Sequence, residues 1–205
     1  IPPLENHGGP ITIGAVVRVV PIKDIVTLLR AFFLVQQELP DAKLYVMGNL
    51  EEDPDYVALA RRTAKTLGLR NVEFTGSINV VEYLPRMDIL VLSSISEGQP
   101  LSVLEGFSAH RPYVTTDVGC CRELIYGDSQ DDLGTAGAVV APMDYEAMAE
   151  EIVRLARDYE LRRDMAAVGY ERTKRYYTYE RFITSYQKIY EQERRLGGWQ
   201  ASDSN

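Results

Sequence analysis

Ser94-Ile95-Ser96-Glu97-Gly98-Gln99-Pro100-Leu101-Ser102-Val103-Leu104-Glu105-Gly106 follows directly on the apolar run Ile89-Leu90-Val91-Leu92. The run predicts a buried strand. The polar turn, the glycine and the proline after it predict a corner into a helix over 100–109. Such a corner exposes backbone N–H groups at the positive end of a helix dipole, an anion site suited to phosphate. Gly98 lets a ligand approach the backbone, and the free N–H groups of Leu101 and Ser102 point at the anion. Glu97 and Glu105 do not suit an anion alone. They suit a ligand that also carries hydroxyl donors, as sugars do. The competing reading is a plain helix start beside two solvated acids.

Working outward, continuous apolar runs predict strands over 11–17, 43–47, 72–75, 113–115 and 137–140. Helical spacing of Ile25, Leu28, Leu29, Phe32 and Val35 predicts a helix over 22–39, and similar patterns predict helices over 55–67 and, in short form, 80–85. From Asp144 the chain reads as helical, with further helices over 161–170 and 179–195. Strands and helices alternating about every 25 residues give right-handed βαβ units, hence an α/β fold with a Rossmann-like, doubly wound parallel sheet and C-terminal helices. Ligands then bind at the carboxyl ends of the strands, which singles out the loops 18–23, 48–49, 76–77, 94–102 and 116–121.

In that crevice Arg18 directly follows a buried strand, and Lys23 is expected in the first turn of a helix, where the dipole disfavours a cation. Two such cations can clamp a diphosphate, or can be solvated surface charges. Glu105, flanked by Leu104 and Phe107, is expected to be partly buried and to need donors. His110 stands where a helix-ending glycine is expected, and histidine tolerates the left-handed conformation better than most residues. The tyrosines over 176–190 read as helix packing.

Bulk properties exclude several classes. The chain has 205 residues and a net charge of −8, with no basic stripe, so nucleic acid is not expected as a partner. No apolar run is long enough for a membrane span and no signal peptide is present, so a cytoplasmic setting fits. Cys120 and Cys121 are adjacent, which disfavours a bridge; a vicinal redox pair is the sharper reading and incidental cysteines the plainer one. His7 and His110 stand alone, so no metal set is apparent. There is no dinucleotide fingerprint, Walker sequence or nucleophile elbow. Residues 1–10, rich in proline and glycine, read as a linker; 11–196 as one domain; 197–205 as a disordered tail.

Taken as a set, these motifs resemble the retaining GT-B glycosyltransferases of the GT4 type. Glu97 and Glu105, with seven residues between them in Ser-Glu-Gly-Gln-Pro-Leu-Ser-Val-Leu-Glu-Gly, are similar to that family's paired glutamates. The segment from Gly14 through Arg18 to Lys23 resembles its phosphate loop. Phe74-Thr75-Gly76, the strand from Asp88, Asp117-Val118-Gly119 with Arg122-Glu123-Leu124-Ile125, and Val140-Ala141-Pro142-Met143-Asp144 fall in the family's order. The resemblance covers roughly residues 11–190. The runs Val-Val-Pro-Ile-Lys-Asp and Cys-Arg-Glu-Leu-Ile are most similar to the PelF-type transferases of bacterial Pel exopolysaccharide synthesis.

The resemblance implies a domain that binds a sugar-nucleotide donor, UDP-glucose in PelF-type enzymes, without a metal or other cofactor. By position, Arg18 and Lys23 would neutralise the diphosphate, and backbone around Gly98, Gln99, Pro100, Leu101 and Ser102 would help. Glu97 would hold the donor sugar and Glu105 the ribose, with Gly76 near the base. Implied partners are the UDP-sugar, an N-terminal acceptor domain that residues 1–10 would join, and an inner-membrane polysaccharide synthase complex. The isolated domain is expected to bind nucleotide without transferring sugar. This sequence departs from the family pattern at Val17 and Asp24, where glycines are usual, and at Glu-Gly-Gln-Pro, where Glu-Gly-Phe-Gly is usual. Two other readings stay open. One is half of a sugar-nucleotide epimerase or phosphorylase, which the remainder of the chain would decide. The other is a non-catalytic α/β ligand-binding or regulatory domain, which would bind no nucleotide.

Overall fold

A computed structural model describes residues 1–195, and the expected disordered tail lies outside the described residues. Six parallel strands are present: β1 (Thr12–Val16), β2 (Lys43–Met47), β3 (Val72–Gly76), β4 (Ile89–Leu92), β5 (Tyr113–Thr116) and β6 (Gly137–Val140). They lie in the order β3-β2-β1-β4-β5-β6. The chain therefore winds outward from β1 in one direction and from β4 in the other. β1 and β4 are neighbours, with Ile13 opposite Ile89 and Gly14 opposite Leu90. The point of reversal is where such sheets leave a crevice at the strands' carboxyl ends. All four residues of β4 are buried, as a strand covered on both faces requires.

The helices are α1 (Ile25–Glu38), α2 (Pro54–Thr66), α3 (Val80–Tyr83), α4 (Leu101–Ser108), α5 (Cys121–Tyr126), α6 (Tyr145–Arg157), α7 (Tyr159–Tyr176) and α8 (Tyr179–Arg195). α1 packs on α6, and α4 on α7. No helix among the described residues is long and apolar enough to cross a membrane. His110 ends α4 in the left-handed region at φ 54°, as expected of a residue replacing the terminal glycine.

Three features differ from expectation. The helix expected over 22–39 is interrupted: Pro21–Lys23 forms a 3-10 turn, Asp24 turns left-handed at φ 44°, and α1 starts only at Ile25, capped by the Asp24 carboxylate accepting from the Thr27 N–H. Lys23 thus precedes the helix. Residues 1–10 have no regular structure and lie against the body. Leu4 is 5% exposed, the Tyr159 hydroxyl donates to its carbonyl, and His7 pairs with the buried Asp88. One apolar side chain and two polar anchors are enough to hold the stretch on the body. The helix α5 was not expected, being too short to show a period. Tyr179, Tyr186 and Tyr190 on α8 do not pack into the body but are exposed. Phe182 and Tyr186 stack on each other instead, at 4.6 Å between ring centres, as an i, i+4 pair does.

Candidate donor-binding site

At the carboxyl ends of β1 and β4 the chain encloses a cleft of about 580 Å³, lined by Arg18, Lys23, Glu97, Gln99, Pro100, Leu101 and Ser102, among others. Its walls come from the carboxyl ends of β1 to β4, and three loops set the corner that carries Lys23 and Glu97. The first is the turn after β1. Its 3-10 segment is held to the β4 exit by two hydrogen bonds: the Ile95 N–H donates to the Ile22 carbonyl at 2.9 Å, and the Ser93 hydroxyl donates to the Lys23 carbonyl at 2.8 Å. Lys23 Nζ is thereby set beside the corner. It donates to Glu97 Oε1 at 2.5 Å, with the two side chains 15% and 10% exposed.

The corner itself is the second loop. Ser94, fully buried, donates from its hydroxyl to the same Glu97 Oε1 at 2.6 Å, and its carbonyl accepts from the Thr116 hydroxyl at 2.6 Å. Both donors use Oε1, so Oε2 of Glu97 has no protein hydrogen bond among the described residues. Pro100, expected as the first helical residue, is the N-cap of α4, and no side chain caps that helix. The N–H groups of Leu101 and Ser102 therefore have no protein acceptor among the described residues. The Tyr113 hydroxyl, donating to the Ser102 carbonyl at 2.7 Å, pins this first turn to β5.

The loop after β5 completes the corner from behind. The Cys120 N–H donates to the Gly98 carbonyl at 3.1 Å. Gly119 stands at φ +52°, and a Cβ there would lie 2.2 Å from the Gly98 oxygen and 2.5 Å from the Glu97 oxygen. Only glycine allows this approach. Burial pushes the Cys120 thiol upward and the Cys121 thiol up to about 11. Both are free, and the upward shift disfavours the reactive thiolate form.

Arg18 also borders the cleft, but its Nη1 donates to Glu52 Oε1 at 2.6 Å on the loop after β2. Asp24, the unexpected acid beside the phosphate loop, is committed to capping α1. Three of the expected residues do not line the cleft. Gly76 stops one residue short, with Ser77 on the wall in its place. Gly98 is a rim residue whose carbonyl is taken by Cys120. Glu105 is exposed, against the expectation of partial burial, because its neighbours Leu104 and Phe107 face other ways around the helix. It borders an adjoining hollow of about 560 Å³ that shares Ile78, Val80 and Leu101 with the cleft. The residues that sequence reasoning missed are Ile78 and Val80 on the wall and Ser93 beneath it; Ser94 lay in the expected corner, but its buried bond to Glu97 was not expected. The serines' signal was two hydroxyls immediately after a buried strand.

A two-winged parallel sheet with flanking helices and a cleft at its switch point has the Rossmann-like architecture of GT-B C-terminal domains. The comparisons with known proteins agree with this class. The model for "Glycosyl transferases group 1" matches residues 10–158, and the chain belongs to that family. N-acetyl-alpha-D-glucosaminyl L-malate synthase of Bacillus anthracis is 28% identical over 172 residues, covering 82% of this chain and 42% of that protein. The capsular polysaccharide biosynthesis glycosyltransferase CapM of Staphylococcus aureus is 26% identical over 166 residues, covering 78% and 40%. The chain thus spans about two fifths of the length of these relatives. Among solved structures, the C-terminal domain of the group 1 glycosyl transferase LpcC from Francisella tularensis superposes with a TM-score of 0.73 at 25% identity, covering 86% of this chain and 95% of that one. Anabaena HepE in complex with UDP and glucose superposes with a TM-score of 0.75 at 21% identity, covering 89% and 48%; this likeness is one of fold.

Proposed function

We propose that this chain is the donor-binding half of a retaining, metal-independent glycosyltransferase that takes a hexose from a UDP-sugar, UDP-glucose first among them, for bacterial exopolysaccharide synthesis of the PelF type. The observation that carries the reading is the Lys23–Glu97 pair. A lysine and two uncapped N–H groups await an anion, while one carboxylate oxygen beside them is left for hydroxyl donors. That combination matches a sugar diphosphate, whose two ends have opposite needs.

In this reading Arg18 leaves Glu52 and, with Lys23, neutralises the diphosphate. The Leu101 and Ser102 N–H groups bind its oxygens. Charge that develops on the leaving diphosphate is met by these fixed donors, so no divalent ion is needed. Glu97 orients the sugar through Oε2, and Glu105, at the edge of the adjoining hollow, meets the ribose. The Gly76–Ser77 loop and Ile78 border the base. HepE, of the same fold, is described with UDP and glucose. The acceptor is expected to be held by a separate N-terminal domain, so these residues alone bind donor without turnover, in a cytoplasmic setting beside a membrane synthase complex.

Calorimetric titration of UDP, GDP and ADP, then of UDP-glucose, UDP-GlcNAc and UDP-GalNAc, tests the reading. UDP binding that is weakened in Arg18→Ala and Glu105→Ala supports it. Absence of all nucleotide binding overturns it in favour of a non-catalytic domain.

A further inference from the structure

Two adjacent buried serines, Ser93 and Ser94, are 1% and 0% exposed, at a place where a strand interior gives way to the cleft. Neither lines the cleft. Each donates its hydroxyl to a different member of the Lys23–Glu97 pair. Ser93 binds the Lys23 main chain at the carbonyl, and Ser94 binds the Glu97 side chain at Oε1. Ser94 is itself fixed, since its carbonyl accepts from the buried Thr116 hydroxyl. Buried hydroxyls with such short, specific bonds hold geometry, because breaking one strands a polar group away from water.

We propose that Ser93 and Ser94 are positioning residues with divided tasks: Ser93 sets the cation toward the phosphate end of the ligand, and Ser94 sets the carboxylate toward its hydroxyl end. The division follows from the atoms involved. Ser94 occupies Oε1 together with Lys23, and so leaves Oε2 as the oxygen facing a ligand hydroxyl. Without the Ser94 bond the carboxylate is held by Lys23 alone and can rotate, exchanging its two oxygens. Lys23 would keep its charge and its turn, so the phosphate end would lose little. Without the Ser93 bond the 3-10 turn Pro21–Lys23 keeps only the Ile95–Ile22 bond to the corner, and the ammonium loses its fixed height above the helix start. This assignment rests on the donor-binding reading above.

The test measures UDP and UDP-glucose binding to the whole chain in parallel. Ser94→Ala is expected to weaken UDP-glucose about fivefold while UDP stays within about twofold, the loss of one hydrogen bond's worth of orientation. Ser93→Ala is expected to weaken both ligands equally, again about fivefold. Equal effects of the two variants on both ligands, or none, overturn the division. Thr116→Val, which keeps the side-chain shape and frees the Ser94 carbonyl, should repeat the Ser94→Ala pattern more weakly, and serves if Ser94→Ala unfolds. Glu97→Gln separates the two levels of argument. If it spares UDP-glucose, the sugar assignment of Glu97 falls. A ligand-free measurement then decides the positioning role: acetylation of Lys23 by an activated acetate ester, read by mass spectrometry. The amine should react several-fold faster in Ser93→Ala and at about the parent rate in Ser94→Ala; an unchanged rate in Ser93→Ala, or equal acceleration in both, overturns the inference.

Discussion

Two ion pairs in this molecule use similar groups to opposite ends. Arg172 on α7 and Asp131 on the loop before β6 have side chains 1% and 3% exposed. Every guanidinium donor is spent: Nε and Nη2 on the Asp131 carboxylate, Nη1 on the Leu124 and Ile125 carbonyls, and Nη2 also on the Gly134 carbonyl. Asp131 in turn accepts from the Leu133 N–H. Lys23 and Glu97 are also largely withdrawn from solvent, at 15% and 10% exposed, but Glu97 keeps one oxygen free and both line a cleft. A saturated pair has nothing left to offer a ligand and works as a rivet, closing the end of α5 and the 127–134 loop. An unsaturated pair at a strand end keeps groups that a ligand can use. Burial alone does not separate the two; the count of unused donors and acceptors does.

The largest effect should come from breaking the rivet. Arg172→Ala leaves the buried Asp131 carboxylate with only the Leu133 N–H, and takes the guanidinium donor from the Leu124 and Gly134 carbonyls. Loss of one partner of a buried pair costs about 3–5 kcal/mol. Denaturant unfolding should show that loss, and a variant losing less than about 1 kcal/mol would mean that Asp131 reaches water. Lys23→Ala should do the reverse. Glu97 borders the cleft and can be rehydrated there, so stability should hardly move. UDP affinity should fall about 10- to 100-fold, the worth of a charge-assisted bond to phosphate. If Lys23→Ala unfolds the chain and spares affinity, the contrast between rivet and site collapses.

Acid should sharpen the same contrast. The Arg172 guanidinium holds the Asp131 carboxyl below its ordinary value, the hydrogen bond being the larger cause. A depressed folded-state pKa gives stability that is fully present above the unfolded value, about 3.9, and is lost as pH falls through the folded one. The parent chain should therefore lose stability below about pH 4, this group contributing a slope of at most about 1.4 kcal/mol per pH unit. Asp131→Asn should lack that part of the slope while starting from a lower plateau. Parallel acid limbs in the two chains would show that Asp131 is not the group involved.

Much of this was legible in the sequence for a physical reason. A strand covered on both faces must be apolar throughout, so Ile89-Leu90-Val91-Leu92 announced the sheet's centre, and the glycine and proline after it announced the corner. Arg18, Lys23 and Glu97 were visible as charges at strand exits. What stayed hidden depends on contacts across long separations. Ser93 meets the Lys23 carbonyl 70 positions away, and Arg172 meets Asp131 at a separation of 41. No local pattern encodes either. Glu105 was misread from its neighbours in sequence, although on a helix the next residue faces a different direction. The left-handed turn at Asp24 was lost inside an apolar period that continues through it.

The smallest expected effect tests whether Arg18 belongs with the rivet or with the site. Its bond to Glu52 is an exposed one, the side chains being 59% and 38% accessible, and such pairs contribute about 0.2–1 kcal/mol. A diphosphate that recruits Arg18 must first displace Glu52. Removing this competitor in Glu52→Gln should therefore tighten UDP by about twofold, a change that salt would erase. Loss of any negative charge near an anion site has a similar sign, so the comparison must be with Glu51→Gln. Glu51 is also exposed and makes no ion pair with Arg18. Tightening in Glu52→Gln alone would assign the gain to the freed arginine. Equal tightening in both would reduce it to general charge, and in an Arg18→Ala background the Glu52 effect should disappear altogether.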